Sequence, residues 1–202
     1  MFSGIVEEIG TVDFVDHQPE LSTLWIRSQA CLQDIKKGDS LSVNGVCLTV
    51  CDFTPDQFMC QAILETIKLT NLGLLHKGTR VNLERSITPT TRIGGHFVQG
   101  HVDGKTSISR LEPEGNSLKI WFKRPPFHVD CFINKGYITL DGMSLTLVDV
   151  TPNEISVCFV PHTQAQTIVQ HYQKGTQVNV EVDLITKTVV HVMNQRRNQD
   201  GY

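Results

Sequence analysis

The chain has 202 residues with a hydrophobic fraction of 40%, enough for one large domain or two small ones with ordinary globular cores. A formal net charge of −3 and a sequence pI near 6.2 offer no basic field to a phosphate backbone or an anionic membrane, so neither nucleic acid nor membrane is expected as a partner. The opening Met1-Phe2-Ser3-Gly4-Ile5-Val6 has no basic segment ahead of an apolar one, and no apolar run reaches the roughly 18 residues of a membrane span, which predicts a soluble cytoplasmic protein.

In chain order, Gly4-Ile5-Val6-Glu7 is the first strand signal. Leu41 and Val43 then alternate with polar neighbours up to Asn44-Gly45, a pair suited to the positive φ that both central positions of a type I′ hairpin require. A short helical stretch is predicted near Ile67 to Leu72, and Val81 and Leu83 mark another period-2 strand. Gly100-His101-Val102-Asp103 opens a second series like the first, Asp141-Gly142 forms a second hairpin turn, Ala165 to His171 a second helical stretch, and Val178, Val180 and Val182 a last strand. From Thr188 to Arg196, Val189, Val192, Met193 and Arg196 fall at i, i+3, i+4 and i+7, a weak amphipathic helix followed by a polar tail. Being short and β-branched, it needs a partner surface, either another chain or its own barrel.

The resemblance between the two series is an internal repeat. Asn44-Gly45-Val46-Cys47-Leu48-Thr49 returns as Asp141-Gly142-Met143-Ser144-Leu145-Thr146, and Lys77 to Glu84 returns as Lys174 to Glu181, both 97 residues on. Asp52, Thr54, Pro55, Thr66 and Thr70 recur without a gap as Asp149, Thr151, Pro152, Thr163 and Thr167, while the openings match at a separation of 96. Two homologous domains follow. Recurring hairpins in a single sandwich would not keep loops such as Asp-x-Thr-Pro in register. Short strands between frequent turns indicate a small barrel or sandwich in each half, and closure would remove the strand edges that so small a domain tolerates poorly. The six cysteines, Cys31, Cys47, Cys51, Cys60, Cys131 and Cys158, contain no CxxC pair, so free thiols are expected. Cys47 and Cys51 are read as buried small hydrophobes rather than metal ligands.

Taken in order, Met1 to Val6, Asn44 to Val50, Glu65-Thr66, Thr70 to Gly73, Gly94-Gly95-His96-Phe97-Val98-Gln99-Gly100-His101-Val102 and Asp141 to Thr146 closely resemble the riboflavin synthases, two-barrel enzymes of the lumazine-binding repeat superfamily, over almost the whole chain. The resemblance implies an all-β fold of two tandem homologous six-stranded Greek-key β-barrels with short helices. Its first barrel would be residues 1–97 and its second 98–186, with 187–202 a C-terminal helix for trimerisation plus a polar tail. It implies a transferase without cofactor or metal that dismutates two molecules of 6,7-dimethyl-8-ribityllumazine per site. A four-carbon unit passes between them, giving riboflavin and 5-amino-6-(D-ribitylamino)uracil, the last step of riboflavin biosynthesis. It further implies a homotrimer with the site between subunits, and it leaves association with lumazine synthase open.

Holding two pteridines face to face is the main demand of such a reaction, together with removal of a proton from the C7 methyl group and addition of a nucleophile at C7. The resemblance implies four catalytic residues: Asp183 for proton handling, Ser144 for positioning or generating the nucleophile, His101 for proton exchange and Cys47 for contact with the partner lumazine. Cys47 and Ser144 are counterparts, so their difference suggests divided labour. Asp183 aligns with Ser86 and His101 opens the second barrel opposite Ile5, so both are asymmetric as well. Substrate binding is implied for Gly4, Ile5 and Val6, for Cys47, Leu48 and Thr49, and for Gln61, Ala62, Ile63, Leu64, Glu65 and Thr66. In the second repeat it is implied for Gly100, His101 and Val102, for Lys135, for Ser144, Leu145 and Thr146, and for Cys158, Phe159, Val160, Pro161, His162 and Thr163. His162 departs from the acidic residue the family usually carries there, which touches ribityl contacts rather than activity.

On the residues alone, Asp183 reads equally as a solvated rim carboxylate and His101 as structural. Gly94-Gly95 with Gly100 is rejected as a phosphate loop because no helix pattern follows, and His96 with His101 lacks the i, i+4 spacing of a helical zinc pair. The rival functions are a non-catalytic lumazine or flavin carrier, disfavoured by the retention of Cys47, His101, Ser144 and Asp183, and an oligomerisation module with empty barrels.

Overall fold

A computed structural model describes residues 1–200. Six strands form the first closed antiparallel barrel: β1 (Glu8–His17), β2 (Leu21–Arg27), β3 (Ser40–Val43), β4 (Val46–Phe53), β5 (Gln57–Ile63) and β6 (Arg80–Arg85), in the order β1-β2-β5-β4-β3-β6. The second uses β7 (Gly104–Glu114), β8 (Ser117–Lys123), β9 (Tyr137–Leu140), β10 (Met143–Val150), β11 (Glu154–Phe159) and β12 (Gln177–Val182) in the same cyclic order. In each, three hairpin-connected strands are joined by a last strand that returns beside the first of them, the Greek-key arrangement. The expected turns are present, with φ of 47° and 78° at Asn44-Gly45 and 43° and 82° at Asp141-Gly142.

Closure needs strong curvature, and bulges supply it at matching places. Register shifts occur between Val12 and Phe14 and between Val50 and Asp52, and again between Ile108 and Arg110 and between Leu147 and Val150. The barrel interiors are filled. Leu24, Ile26, Phe58 and Leu83 are fully buried in the first, and Ile120, Phe122, Ile138 and Phe159 in the second. Each such side chain stabilises the fold by about 1.5–3 kcal/mol. No ligand fits inside barrels of this size, so binding surfaces must lie on their outer rims.

The short helices differ from expectation in a consistent way. α1 (Leu64–Leu69) and α2 (Pro161–Gln166) start three or four residues early and bury no side chain fully, with Ile67 of α1 half-buried against the first core. Each stops at a threonine, Thr70 or Thr167, whose extended backbone starts a 3₁₀ turn and whose hydroxyl accepts the N–H two residues on. Those turns close the barrels, with Leu72 and Val169 buried in the two cores.

The two barrels meet across a local twofold. Asn82 Nδ2 donates to the Asp141 carbonyl at 2.8 Å and Asn179 Nδ2 to the Asn44 carbonyl at 2.8 Å. The Asn82 and Asn179 side-chain oxygens accept the N–H groups of Ile168 and Asn71 in turn.

The C-terminal helix α3 (Leu184–Asp200) begins three residues before the expected boundary, because Asp183 caps it through its bond to the Thr186 N–H. The expected tail is helical to Asp200, and residues 201–202 lie outside the described residues. Val190 packs toward the second core, and Lys187 ties the helix to Asp103. Ile185, Val189, Val192 and Met193 lie along one exposed face. Among the described residues, no helix is long and apolar enough to cross a membrane.

Candidate functional site

Strand alternation after each hairpin decides what faces outward. On β4, Leu48 and Val50 point into the core, which leaves Cys47, Thr49 and Cys51 on the outer surface. On β10, Met143 and Leu147 are buried while Ser144 and Thr146 face out. Cys47 and Cys51 are therefore partly exposed rather than the buried hydrophobes expected, and all six cysteines are unpaired thiols.

Each outward position is met by a segment that belongs, by repeat, to the other barrel. Phe2 pairs with Val98 in an isolated antiparallel bridge, so residues before β1 and before β7 lie side by side between the barrels. The Gly100 carbonyl accepts the Cys47 N–H at 2.9 Å and the Gly4 carbonyl accepts the Ser144 N–H at 2.8 Å. Gly4 and Gly100 adopt φ of 77° and 78°, and a Cβ on either would sit 2.6 Å from the Cβ of its partner, so only glycine fits.

Around Cys47, a pocket of about 190 Å³ is lined by Glu65, Thr66, Leu69, Gly100, His101 and Val102 among others. Six of the residues expected in a site are thus brought together. Larger clefts lie elsewhere: about 520 Å³ between the barrels beside Asp141 and Tyr172, about 480 Å³ under α3, and about 440 Å³ beside Ile5 and Arg92. None of these holds Cys47, Ser144 or His101, so chemistry rather than size marks the candidate site.

Around Ser144 the central residue is one the sequence did not assign. His96 Nδ1 lies 2.7 Å from Ser144 Oγ, its Nε2 lies 3.2 Å from Thr139 Oγ1, and its ring stacks on Tyr137 with centroids 4.8 Å apart. Burial holds the imidazole below the usual histidine range, partly offset by the nearby charge of Asp183, so the ring is neutral near pH 7 and Nδ1 can accept the Ser144 proton. The available signal was Gly94-Gly95-His96, in the stretch that has no counterpart in the repeat. A Cβ on Gly95 would overlap the Ser3 carbonyl and lie 2.7 Å from Ser144 Oγ, so only glycine lets the segment pass between them.

The other expected residues divide by position. Leu48, Ala62 and Phe159 are buried in the cores and can offer a ligand only their backbone, and Leu145 is partly buried against the second core. Gln61, Ile63, Leu64, Val160, Pro161 and His162 are exposed along the β5–α1 and β11–α2 junctions, with Cys158 and Thr163 half-buried beside them. Ile5 is exposed and Val6 half-buried on the segment that carries Gly4. Lys135 holds a left-handed φ of 63° where the first repeat has Gly38, and among the described residues it forms no ion pair. Asp183 is nearly buried, with Oδ2 accepting from Thr186 N at 2.8 Å and Thr186 Oγ1 at 2.7 Å. Among the described residues, no three of His, Cys, Asp and Glu stand close enough to hold a metal ion.

The family model for the lumazine binding domain matches residues 3–86 and 99–183. The riboflavin synthase of Bacillus subtilis is 41% identical over 202 residues, covering 98% of this chain and 94% of that protein. That of Schizosaccharomyces pombe is 42% identical over 189 residues, covering 93% and 91%. A crystal structure of LumP complexed with 6,7-dimethyl-8-(1'-D-ribityl) lumazine shares the fold at a TM-score of 0.82 and 24% identity, over 90% of this chain and 99% of that one. Two matched repeats folded as paired barrels, with full-length relatives at this identity, place the chain in the riboflavin synthase family of lumazine-binding-domain proteins.

Proposed function

We propose that the chain converts two molecules of 6,7-dimethyl-8-ribityllumazine into riboflavin and 5-amino-6-(D-ribitylamino)uracil. A four-carbon unit leaves one lumazine for the other, and the two substrates balance the two products without an oxidant or reductant. The observation that carries the reading is the pair of equivalent outer positions with unlike reactive side chains, Ser144 against His96 in one and Cys47 beside His101 in the other.

In this reading, neutral His96 takes the proton as an oxygen nucleophile held at Ser144 adds to C7 of one lumazine, and the charge of Asp183 steadies the resulting imidazolium. Cys47, Thr66 and His101 hold the partner lumazine, with His101 exchanging the proton lost from its C7 methyl group. Thr49 and Thr146 read the heterocycle edges from equivalent strand positions. The backbone of Gln61 to Thr66 and of Cys158 to Thr163 holds the ribityl chains together with Lys135, whose left-handed backbone marks a position kept for its side chain.

A pocket of about 190 Å³ falls short of the roughly 300–1,000 Å³ usual for ligand sites, which supports completion by a second subunit. We therefore take the active assembly as a homotrimer in which the first barrel of one subunit faces the second barrel of its neighbour, with the exposed stripe of α3 covered. Unpaired cysteines suit the cytoplasm.

Incubating the purified chain with 6,7-dimethyl-8-ribityllumazine alone tests the reading. One riboflavin should form, seen by its fluorescence, per two lumazines consumed, and light scattering should give the mass of three chains. Saturable lumazine binding without any riboflavin would make the protein a carrier instead.

A further inference from the structure

Two buried carboxylates play no part in the chemistry above, and each binds, within its own repeat, the segment that reaches across to the other barrel. Glu84, on β6 of the first barrel, accepts the Ser3 N–H at 2.8 Å, the Ser3 hydroxyl at 2.9 Å and the Gly4 N–H at 3.1 Å. Glu181, its counterpart on β12, accepts the Gln99 N–H at 2.6 Å and the Gly100 N–H at 2.8 Å. Both side chains are almost wholly buried, and among the described residues neither pairs with a cation. A buried carboxylate without a cation is costly, and burial raises both groups above the usual carboxylate range. An apolar residue would fill the space more cheaply, so the position is used for its acceptors.

What those acceptors fix is the peptide on the far side. The same Gly4 whose N–H is bound by Glu84 offers its carbonyl to Ser144 of the second barrel, and the same Gly100 bound by Glu181 offers its carbonyl to Cys47 of the first. Contact through both glycines is too close to leave slack, since a single added Cβ would overlap Ser144 or Cys47. Small displacements of the peptide therefore pass directly to the reactive side chain. The pattern holds in both directions with nearly equal distances.

We propose that Glu84 and Glu181 are positioning residues that act crosswise: Glu84 of the first barrel sets Ser144 of the second through Gly4, and Glu181 of the second sets Cys47 of the first through Gly100. Each barrel thereby sets the reactive group on its twin, and neither reactive position is correctly built by one repeat alone. The inference rests on the reading of Ser144 and Cys47 as the reactive positions.

Glu84→Gln and Glu181→Gln test it in the full-length chain, because glutamine keeps the volume and one acceptor but turns a donor toward the N–H groups. Backbone amide resonances of Ser144 and Cys47 are read by NMR beside steady-state kinetics. E84Q should move the Ser144 amide, leave the Cys47 amide in place and lower kcat about 10- to 100-fold, since misplacement by an ångström costs about that much. E181Q should move the Cys47 amide alone and act mainly on KM. In a double-mutant cycle, E84Q should cost almost nothing further once Ser144→Ala is present. If E84Q moves Cys47 rather than Ser144, or its effect multiplies with that of S144A, the crosswise role is wrong. Should E84Q fail to fold, Ser3→Ala removes only the hydroxyl donor and should shift the Ser144 amide in the same sense with a two- to fivefold loss in kcat; an unmoved amide there also overturns the proposal. A wild-type chain that binds lumazine without turnover would defeat the proposed function, while the crossed amide shifts would still decide this inference.

Discussion

The two outer positions share much of their scaffold and differ at the residues assigned the chemistry. Asn82 and Asn179, Glu84 and Glu181, Thr70 and Thr167, and Gly4 and Gly100 are identical pairs that hold the barrels and their crossing segments. Elsewhere Cys47 opposes Ser144, His101 opposes Ile5, Glu65 opposes His162, Gly38 opposes Lys135 and Ser86 opposes the nearly buried Asp183. A duplicated frame with unlike contents is what two copies of one substrate need when one must donate carbon and the other accept it. Ser144 has a buried histidine in hydrogen-bond reach while Cys47 has an exposed one beside it, the contrast on which the proposed nucleophile in the second barrel rests.

Removing that hydroxyl should break the comparison most severely. Ser144→Ala leaves His96 without its partner and is expected to lower kcat by about 10²- to 10⁴-fold with little change in KM. Turnover at the wild-type rate would show that the two positions do not divide the chemistry this way. Because burial lowers the His96 pKa, its basic form persists to more acid pH than an ordinary histidine, so the acid limb of the wild-type kcat profile should fall below pH 6.5. That limb should be absent from the residual activity of S144A.

Asp183 sharpens the same contrast, since it is both a helix cap and the charge felt by His96. Asp183→Asn keeps an acceptor for the Thr186 N–H and removes the charge, with an expected fall in kcat of about 10- to 100-fold. Thr186→Ala weakens the cap and keeps the charge, with kcat within about twofold and about 1 kcal/mol lost from stability in urea. The reverse ranking would reduce Asp183 to a cap. Cys47→Ser makes the two reactive positions identical and should cost only a few-fold in KM, because the thiol is assigned contact rather than chemistry. A loss as large as that of S144A would restore the thiol as a reactive group.

Much of this was legible from the repeat. Register at 97 residues gave the paired barrels, and Asn44-Gly45 and Asp141-Gly142 gave the hairpins, because a positive-φ turn is written in single residues. The same offset gave Cys47 and Ser144 as counterparts, although Cys47 is expected buried and lies partly exposed. His96 was missed because its partner is 48 residues away and its own segment has no repeat to align with; only the close approach of Gly95 to Ser144 reveals it. Glu84 and Glu181 stood in the matched segments without a role, since their value depends on carbonyls presented to the opposite barrel. The short helices were placed late because the buried Leu72 and Val169 mark the 3₁₀ turns, and periodicity cannot separate those from the exposed helices before them.

The smallest expected effect on turnover lies in the network between the barrels, where the repeats differ at Asn44 against Asp141. Asp141 is fully enclosed, and burial pushes its carboxyl up to about 7 although Tyr172 Oη, the Asn179 N–H and Asn71 Nδ2 all donate to it. With the ordinary value at 3.8, the folded chain holds a proton there that the unfolded chain has released between about pH 4 and pH 7. Stability from this group is therefore complete at low pH and lost as pH rises through that interval, by at most about 1.4 kcal/mol per pH unit. Asp141→Asn removes the titration and keeps an oxygen for the Asn179 N–H, as Asn44 does for Asn82. Urea midpoints measured from pH 5 to pH 8 should fall more steeply for the wild-type chain than for D141N, with turnover of the two within about twofold. Glu84 and Glu181 are raised in both proteins, so they cancel in the difference between the slopes. Parallel slopes would mean that Asp141 is ionised throughout, held as an anion by its three donors, and that the second hairpin differs from the first in charge at every pH rather than only above neutrality.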